Sequence, residues 1–369
     1  MFKDKLYFDN NATTPLREAA EIAMKGAMGP PANASSVHEF GRNARMLIEK
    51  ARCSVAKLAG CFPHEVVFTS GGTESNNIIL HHFDNVITSA IEHDSILRED
   101  PHFKKIGVNS EGQIELEFFQ DIVESIDESK KPQTIVSVMA ANNETGVIQP
   151  IEEIARIASA AGISLHSDIV QTFGKNEFNF SESGVTYASL SAHKIGGPTG
   201  VGAIIIRNGS KLNGLFQGGG QERGRRAGTE NLIGIVGFGA AAQDAANDIK
   251  HFKKMKNWRN SFEKNIMKAY TSTRIFSSNV PRLANTSCIS VGAKPAETMV
   301  MAFDLAGVAV SAGAACSSGK VKSSHVLEAM GAGADAGRAV RISGGWMTTK
   351  RDFEILEEIF DTVYKKLQY

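Results

Sequence analysis
The stretch Ser191-Ala192-His193-Lys194-Ile195-Gly196-Gly197-Pro198 puts a lysine behind a serine and a histidine and ahead of two glycines and a proline. A solvated surface lysine needs no such setting. A lysine that reaches inward to an electrophile or an anion does. Other residues invite the same reading. Asp168 ends an apolar run in His166-Ser167-Asp168 and must be paired if it is buried. His93, in Ile91-Glu92-His93-Asp94-Ser95, suits acid–base work or stacking on a ring. Gly71-Gly72-Thr73-Glu74 is a small-residue turn opening a helical pattern, where free backbone N–H groups and the helix dipole attract phosphate. No Gly-Lys-Ser/Thr comes after it, so it is not a P-loop. Cys316 sits in Ala312-Gly313-Ala314-Ala315-Cys316-Ser317-Ser318-Gly319-Lys320, a loop with no side chain large enough to bury a thiol and with Lys320 and Lys322 nearby. That pattern suits a reactive thiolate. Arg341, in Arg-Ala-Val-Arg-Ile-Ser, has the planar fork that grips a carboxylate.

These residues need elements to hold them. Short β-branched runs at 66–68, 86–91, 134–139, 163–166, 187–190 and 201–206 alternate with helical patterns such as 74–82 and 151–161. Such alternation predicts a mostly parallel sheet covered on both faces. The last pair of runs is separated by a short Gly/Pro-rich link, too short for a crossover helix, so it is expected to be antiparallel. Residues 42–59 read as an amphipathic helix with Ala44, Leu47, Ile48, Ala51, Val55 and Leu58 on one stripe. A charged helix is expected from Asp248 to about Lys268, and a smaller α+β unit beyond it. Ligands of open α/β sheets bind beyond the carboxyl ends of the strands. Thr69 to Glu74, Glu92-His93, Asn142 to Gly146, Asp168 with Gln171, and Ser191, His193 and Lys194 all come after strand runs and converge on that edge.

One ligand uses all of these groups together: pyridoxal 5'-phosphate. It needs an anion cradle, a carboxylate at the pyridine nitrogen, a flat partner for the ring and a Schiff-base lysine. On this reading Lys194 holds the aldehyde, Ser191 and His193 bond the phosphate, and the small residues after Lys194 let the backbone pass close to the cofactor.

Bulk properties agree with an enzyme. The chain has 369 residues, 42% of them hydrophobic, and 40 basic residues balance 40 acidic ones. No overall field gathers nucleic acid or anionic lipid. The segment 217–226, rich in Gly and Arg, offers a rival nucleic-acid reading, but it is short and lacks interleaved aromatics. No apolar run is long enough to span a bilayer, and none comes after Met1 as a signal peptide would require. Cys53, Cys61 and Cys288 are expected as packing residues, reduced in a cytoplasm. No cysteine or histidine spacing suggests a metal site.

In combination the motifs DNNATTP, ANASSVHEFGR, FTSGGTESNN, IEHDS, NNETGVIQPI, HSDIVQTFGK, SAHKIGGPTGVGA, GGGQERGRRAGTEN, SAGAACSSGK and VRIS, spread from Leu6 to about Lys350, resemble the cysteine desulfurases of the NifS/IscS type. These are class V aminotransferase-family enzymes of PLP-dependent transferase fold type I. The resemblance implies an α/β large domain with a mixed, mostly parallel seven-stranded sheet at 15–250. It adds a small α+β domain from 1–14 and 251–369 that carries the Cys316 loop. It implies a homodimer with shared active sites. Lys194 resembles the Schiff-base lysine, Asp168 the pyridinium partner and His93 the stacked, proton-moving residue. Gly72, Thr73, Ser191 and His193 resemble phosphate ligands, and Thr229 a phosphate contact lent by the partner subunit. Asn143 and Gln171 resemble contacts to the ring hydroxyl, Asn33 and Arg341 the substrate carboxylate clamp, and Cys316 the persulfide carrier. The implied reaction converts L-cysteine to L-alanine and passes sulfur to a protein acceptor, either an iron–sulfur scaffold or a tRNA-thiolation protein. Two alternatives share the fold, an aminotransferase and a selenocysteine lyase; a transaminase has no use for the Cys316 thiol. The chain departs from the family where Asn33 lacks a following proline and at Ser343 to Met347. It also ends at Tyr369 without the tail that longer members use to bind a scaffold.

Overall fold
The structure, a computed structural model, describes residues 5–292, 294–313 and 323–367. In chain order its strands are β1 (Leu6–Tyr7), β2 (Val66–Thr69), β3 (Asn85–Ser89), β4 (Phe103–Ile106), β5 (Thr134–Ser137), β6 (Ser164–Asp168), β7 (Tyr187–Ser191), β8 (Gly202–Ile206), β9 (Thr273–Ile275), β10 (Thr286–Val291), β11 (Val308–Ala309), β12 (Ser311–Ala312) and β13 (Val340–Ser343). Its helices are α1 (Glu18–Ala27), α2 (Glu39–Ala59), α3 (Gly72–Leu80), α4 (Leu116–Glu124), α5 (Ile151–Ala160), α6 (Leu232–Ala245), α7 (Ile249–Ala269), α8 (Ala296–Leu305), α9 (His325–Ala329) and α10 (Lys350–Leu367).

The principal sheet has seven strands in the order β2-β8-β7-β6-β5-β3-β4. Pairs from β7 through β6, β5 and β3 to β4 are parallel. Strand β8 runs antiparallel to both β7 and β2, as the short link between its run and the preceding one predicts. Strands β2, β5, β7 and β8 are buried at every position, which is why their sequences run apolar without alternating. Strand β4 is absent from the sequence reading. It is an edge strand, Phe-Lys-Lys-Ile, and its exposed Lys104 and Lys105 blunt the edge and mask the apolar signal.

Helix α2 starts three residues earlier than the stripe suggests, at Glu39, because His38 Nδ1 accepts the Gly41 N–H, and it stops at Gly60 in the left-handed conformation. Cys53 corrects the packing expectation: it lies off the stripe and is exposed, whereas Cys61 is partly buried and Cys288 buried. The sequence reading also lacks α6. This helix is buried around most of its circumference and carries no stripe. A Cβ on Gly239 would lie 2.5 Å from Ala51 of α2, so glycine sets how closely the two helices pack.

A second core lies against the sheet β12-β13-β10-β9 and the parallel pair β1-β11. It unites Phe8 near the chain start with Phe252, Phe262, Phe303 and Phe360 from α7, α8 and α10. The segment after β1 crosses between the two sheets, and a cleft opens there.

Candidate active site
The cleft has a volume of about 420 Å³. Its first wall is the carboxyl edge of the principal sheet. Asp168 closes β6 and is 8% exposed. Its Oδ1 accepts the Val170 N–H at 3.0 Å and its Oδ2 accepts Asn76 Nδ2 at 2.9 Å. Among the described residues no cation pairs with it. His93, in the turn after β3, shares a hydrogen with Ser95 Oγ at 2.8 Å and takes the Ser95 N–H at 3.0 Å, both through Nδ1. Nε2 is left as the ring nitrogen facing other partners.

Lys194 comes after β7 and is largely buried, with Nζ donating to the carbonyls of Asn11 at 2.6 Å and Ala12 at 2.7 Å. Burial, reinforced by the Arg341 charge and opposed by Asp168 and Asp9, brings its ammonium down to about 8. A neutral fraction of roughly a tenth therefore exists at pH 7. His193 is brought down to about 4 by burial and then by Lys194 and Lys175, so its imidazole is neutral; its Nδ1 lies 3.1 Å from Thr13 Oγ1. The glycines after Lys194 differ from expectation. Gly196 has φ +82° and a Cβ there would lie 2.6 Å from Arg17, while one on Gly197 would lie 2.9 Å from Ala192. They close the lysine turn onto Arg17 and Ala192 and do not line the cleft. Arg17 donates to the Ile195 carbonyl from this buried position and stacks on Trp346, which gives the unusual Ser343 to Met347 segment a contact with the lysine turn.

The second wall comes from distant parts of the chain. Arg341 on β13 pairs with Asp9 at 2.6 Å and donates from Nη1 to the Asn143 carbonyl at 3.2 Å. Its Nε is buried without a partner among the described residues. Asn11 ties the walls together: Nδ2 donates to Asn143 O and Thr286 Oγ1, and its carbonyl accepts Gln171 Nε2 as well as Lys194. Glu144, Ser311, Gly313 and His325 complete this side. Burial pushes the Glu144 carboxyl up, against its bond from Ser324.

The residues fit pyridoxal phosphate on three counts. Asp168 is a carboxylate with N–H donors and no cation, suited to a protonated ring nitrogen. Gly72, Thr73, Ser191 and His193 line one end of the cleft at the start of α3. A Cβ on Gly72 would stand 3.3 Å from Val170 Cγ2 and 3.8 Å from Ser191 Cβ, within the space an anion would take. Lys194 is a desolvated amine lining the same cleft.

Asn143 and Gln171 also line the cleft, although Gln171 Oε1 accepts from the buried Lys175. Asn33 and Thr229 are not among the lining residues. Asn33 is exposed and accepts the Ser35 N–H, and Thr229 is exposed in a separate cavity with Glu222 and Arg226. Cys316 lies outside the described residues. Asp9, Asn11, Asn76, Glu144, Lys175 and His325 do not stand out in the sequence. All but His325 nevertheless fall inside the motifs DNNATTP, FTSGGTESNN, NNETGVIQPI and HSDIVQTFGK, and that is the signal that could have found them.

The class-V aminotransferase family model matches residues 6–356. A cysteine desulfurase IscS of Dictyoglomus turgidum is 37% identical, over 99% of this chain and 96% of its own length. The cysteine desulfurase NifS of Azotobacter vinelandii is 35% identical, over 96% of this chain and 91% of its own. Among solved structures, a NifS-like protein from Rickettsia africae superposes with a TM-score of 0.90 at 36% identity, covering 98% of this chain and 99% of that one. With the lysine, the cation-free carboxylate and the phosphate cradle on one cleft, the chain belongs to the class-V aminotransferase family, among the cysteine desulfurases of the NifS/IscS type.

Proposed function
We propose that this protein is a pyridoxal-phosphate-dependent cysteine desulfurase that takes sulfur from L-cysteine, releases L-alanine and carries the sulfur as a persulfide on Cys316. The observation that carries this reading is the position of Gly313. It lines the same cleft as Lys194 and Asp168 and precedes Cys316 by three residues.

The bound cofactor supplies an electron sink for the substrate's carbon skeleton. Asp168 would face the ring nitrogen, and the start of α3 with Ser191 and His193 would hold the phosphate. Asn143 and Gln171 would meet the ring hydroxyl. Arg341, whose guanidinium lines the cleft, grips the substrate carboxylate, and we assign Asn33, which lies outside the cleft lining, to the same carboxylate. Lys194 Nζ and His93 Nε2 move protons to and from the substrate carbons. The Cys316 thiolate attacks the substrate sulfur. An S–S bond forms, the carbon–sulfur bond breaks, and its electron pair stays on the carbon fragment, which takes up a proton and leaves as alanine.

We read the protein as a homodimer with shared sites, in which Thr229 serves the phosphate of the other copy. We assign 15–250 to a cofactor domain and 1–14 with 251–369 to a small domain. The placement of Phe8 in one core with α7 and α10 supports that division. The acceptor is a protein, an iron–sulfur scaffold or a tRNA-thiolation partner. The free thiols of Cys53, Cys61 and Cys288 suit a cytoplasmic setting. Among the described residues, no helix is long and apolar enough to cross a membrane.

The test adds L-cysteine to the cofactor-loaded protein and measures alanine and protein persulfide. Cys316→Ala is expected to keep cofactor absorbance and to lose both products. Undiminished turnover in that variant overturns the reading.

A further inference from the structure
The two flanks of the Cys316 segment meet at a single side chain, Glu144. On the near flank, a Cβ on Gly313 would lie 2.4 Å from Glu144 Oε2 and 2.9 Å from Ser324 Cβ. Only a residue without a side chain fits there. On the far flank, Ser324 Oγ donates to Glu144 Oε2 at 2.6 Å and accepts the Leu327 N–H at 3.1 Å, so the same hydroxyl caps α9. His325 adds a bond between its Nε2 and the Glu92 carbonyl at 2.9 Å, tying this flank to the turn after β3.

Glu144 is itself rigidly held. It sits in the turn after β5, where Asn142 Oδ1 accepts the N–H groups of Glu144 at 2.8 Å and Thr145 at 2.9 Å. It is 2% exposed, as is Ser324. A carboxylate so buried is costly unless hydrogen-bonded, which makes the Ser324 bond a strong local constraint. Its other neighbours are the ionisable side chains Asp94, His325 and Arg341.

We propose that Glu144 is a positioning residue for sulfur transfer: it packs against Gly313 and bonds Ser324, and so holds both flanks of the Cys316 segment against the turn after β5. The role is distinct from holding the cofactor. Removing the pin leaves the first wall intact and spoils the approach of the thiol, on which an ångström of misplacement weighs heavily. The proposal rests on the reading of Cys316 as the sulfur carrier.

The experiment uses the full-length, cofactor-loaded protein and its variants Glu144→Ala, Ser324→Ala and Glu144→Gln. In the first two, cofactor absorbance and the spectral change on adding L-cysteine are expected to stay near wild type, while persulfide and alanine formation fall about ten- to a hundredfold. Amide exchange at 311–313 and 324–326 is expected to quicken about tenfold, the scale of one lost hydrogen bond to a charged group. Glu144→Gln, whose amide oxygen still accepts the Ser324 hydroxyl, is expected to recover most of both. Unchanged exchange at those residues overturns the proposal, as does full turnover in Glu144→Ala or loss of cofactor together with turnover. A wild-type protein that makes no alanine from cysteine overturns the desulfurase reading instead, and the exchange measurement then still decides whether Glu144 holds the flanks.

Discussion
The two walls of the cleft are built on different principles. The sheet-edge wall is built from local partners: Asp168 takes its hydrogens from Asn76 and Val170, and His93 takes one from Ser95, while Asn76 Oδ1 stays buried without a partner among the described residues. The opposite wall gathers Asp9, Gly313, Ser324 and Arg341 from separate stretches and joins them by charged contacts. It also leaves Arg341 Nε unused among the described residues. A wall that rings one carboxylate with neutral donors suits a group that stays bound, and a wall that brings a guanidinium to the cleft suits a carboxylate that arrives and leaves.

Breaking the first wall is expected to cost most. Asp168→Asn removes the charge and little else. The Val170 N–H keeps its acceptor, and Asn76, whose Oδ1 is buried without a partner among the described residues, can turn to accept the new amide. Turnover is expected to fall about 10²–10³-fold, the scale of a lost electrostatic stabiliser, with folding preserved by circular dichroism. Retained turnover would mean that this wall works by shape and not by charge.

The second wall gives a smaller and different effect. Arg341→Lys keeps a cation near Asp9 but loses the planar fork. KM for L-cysteine is expected to rise about tenfold with kcat little changed, because the contact is made equally in ground and transition states. A fall in kcat at constant KM would place Arg341 in the chemistry and erase the contrast between the walls.

The first wall was legible in the sequence and the second largely was not. Strands β3, β6 and β7 are buried at every position or at all but the first, so their apolar runs stand out, and the residues at or just after the end of each run land at the sheet edge. That logic found Lys194, Asp168 and His93. The partners that fix them are harder to read, because Asp9 and Arg341 are 332 positions apart and nothing in either segment names the other. Asn11 looked like one residue in a polar turn, yet its carbonyl and amide bridge Lys194, Gln171, Asn143 and Thr286. Elements failed for a related reason. Lysines hid β4 at the edge, and glycines, needed for the close approach to α2, hid α6.

Lys194 reports on both walls at once, because Arg341 lowers its affinity for a proton while Asp168 and Asp9 raise it. Burial is the larger influence and sets the midpoint near 8. Below that pH the ammonium is inert toward an aldehyde, and above it the neutral amine is available. In cofactor-free protein the rate of pyridoxal phosphate uptake should therefore rise roughly fivefold between pH 7 and pH 8 and level off about a unit higher. Asp168→Asn removes a charge that favours the ammonium, so its midpoint should move to lower pH. Arg341→Met removes an opposing charge and should move it up, whereas Arg341→Lys, which keeps the charge, should leave it in place. Midpoints that shift together in the Asp168 and Arg341→Met variants would show that burial alone governs this amine, and that the two walls do not act on it in opposition.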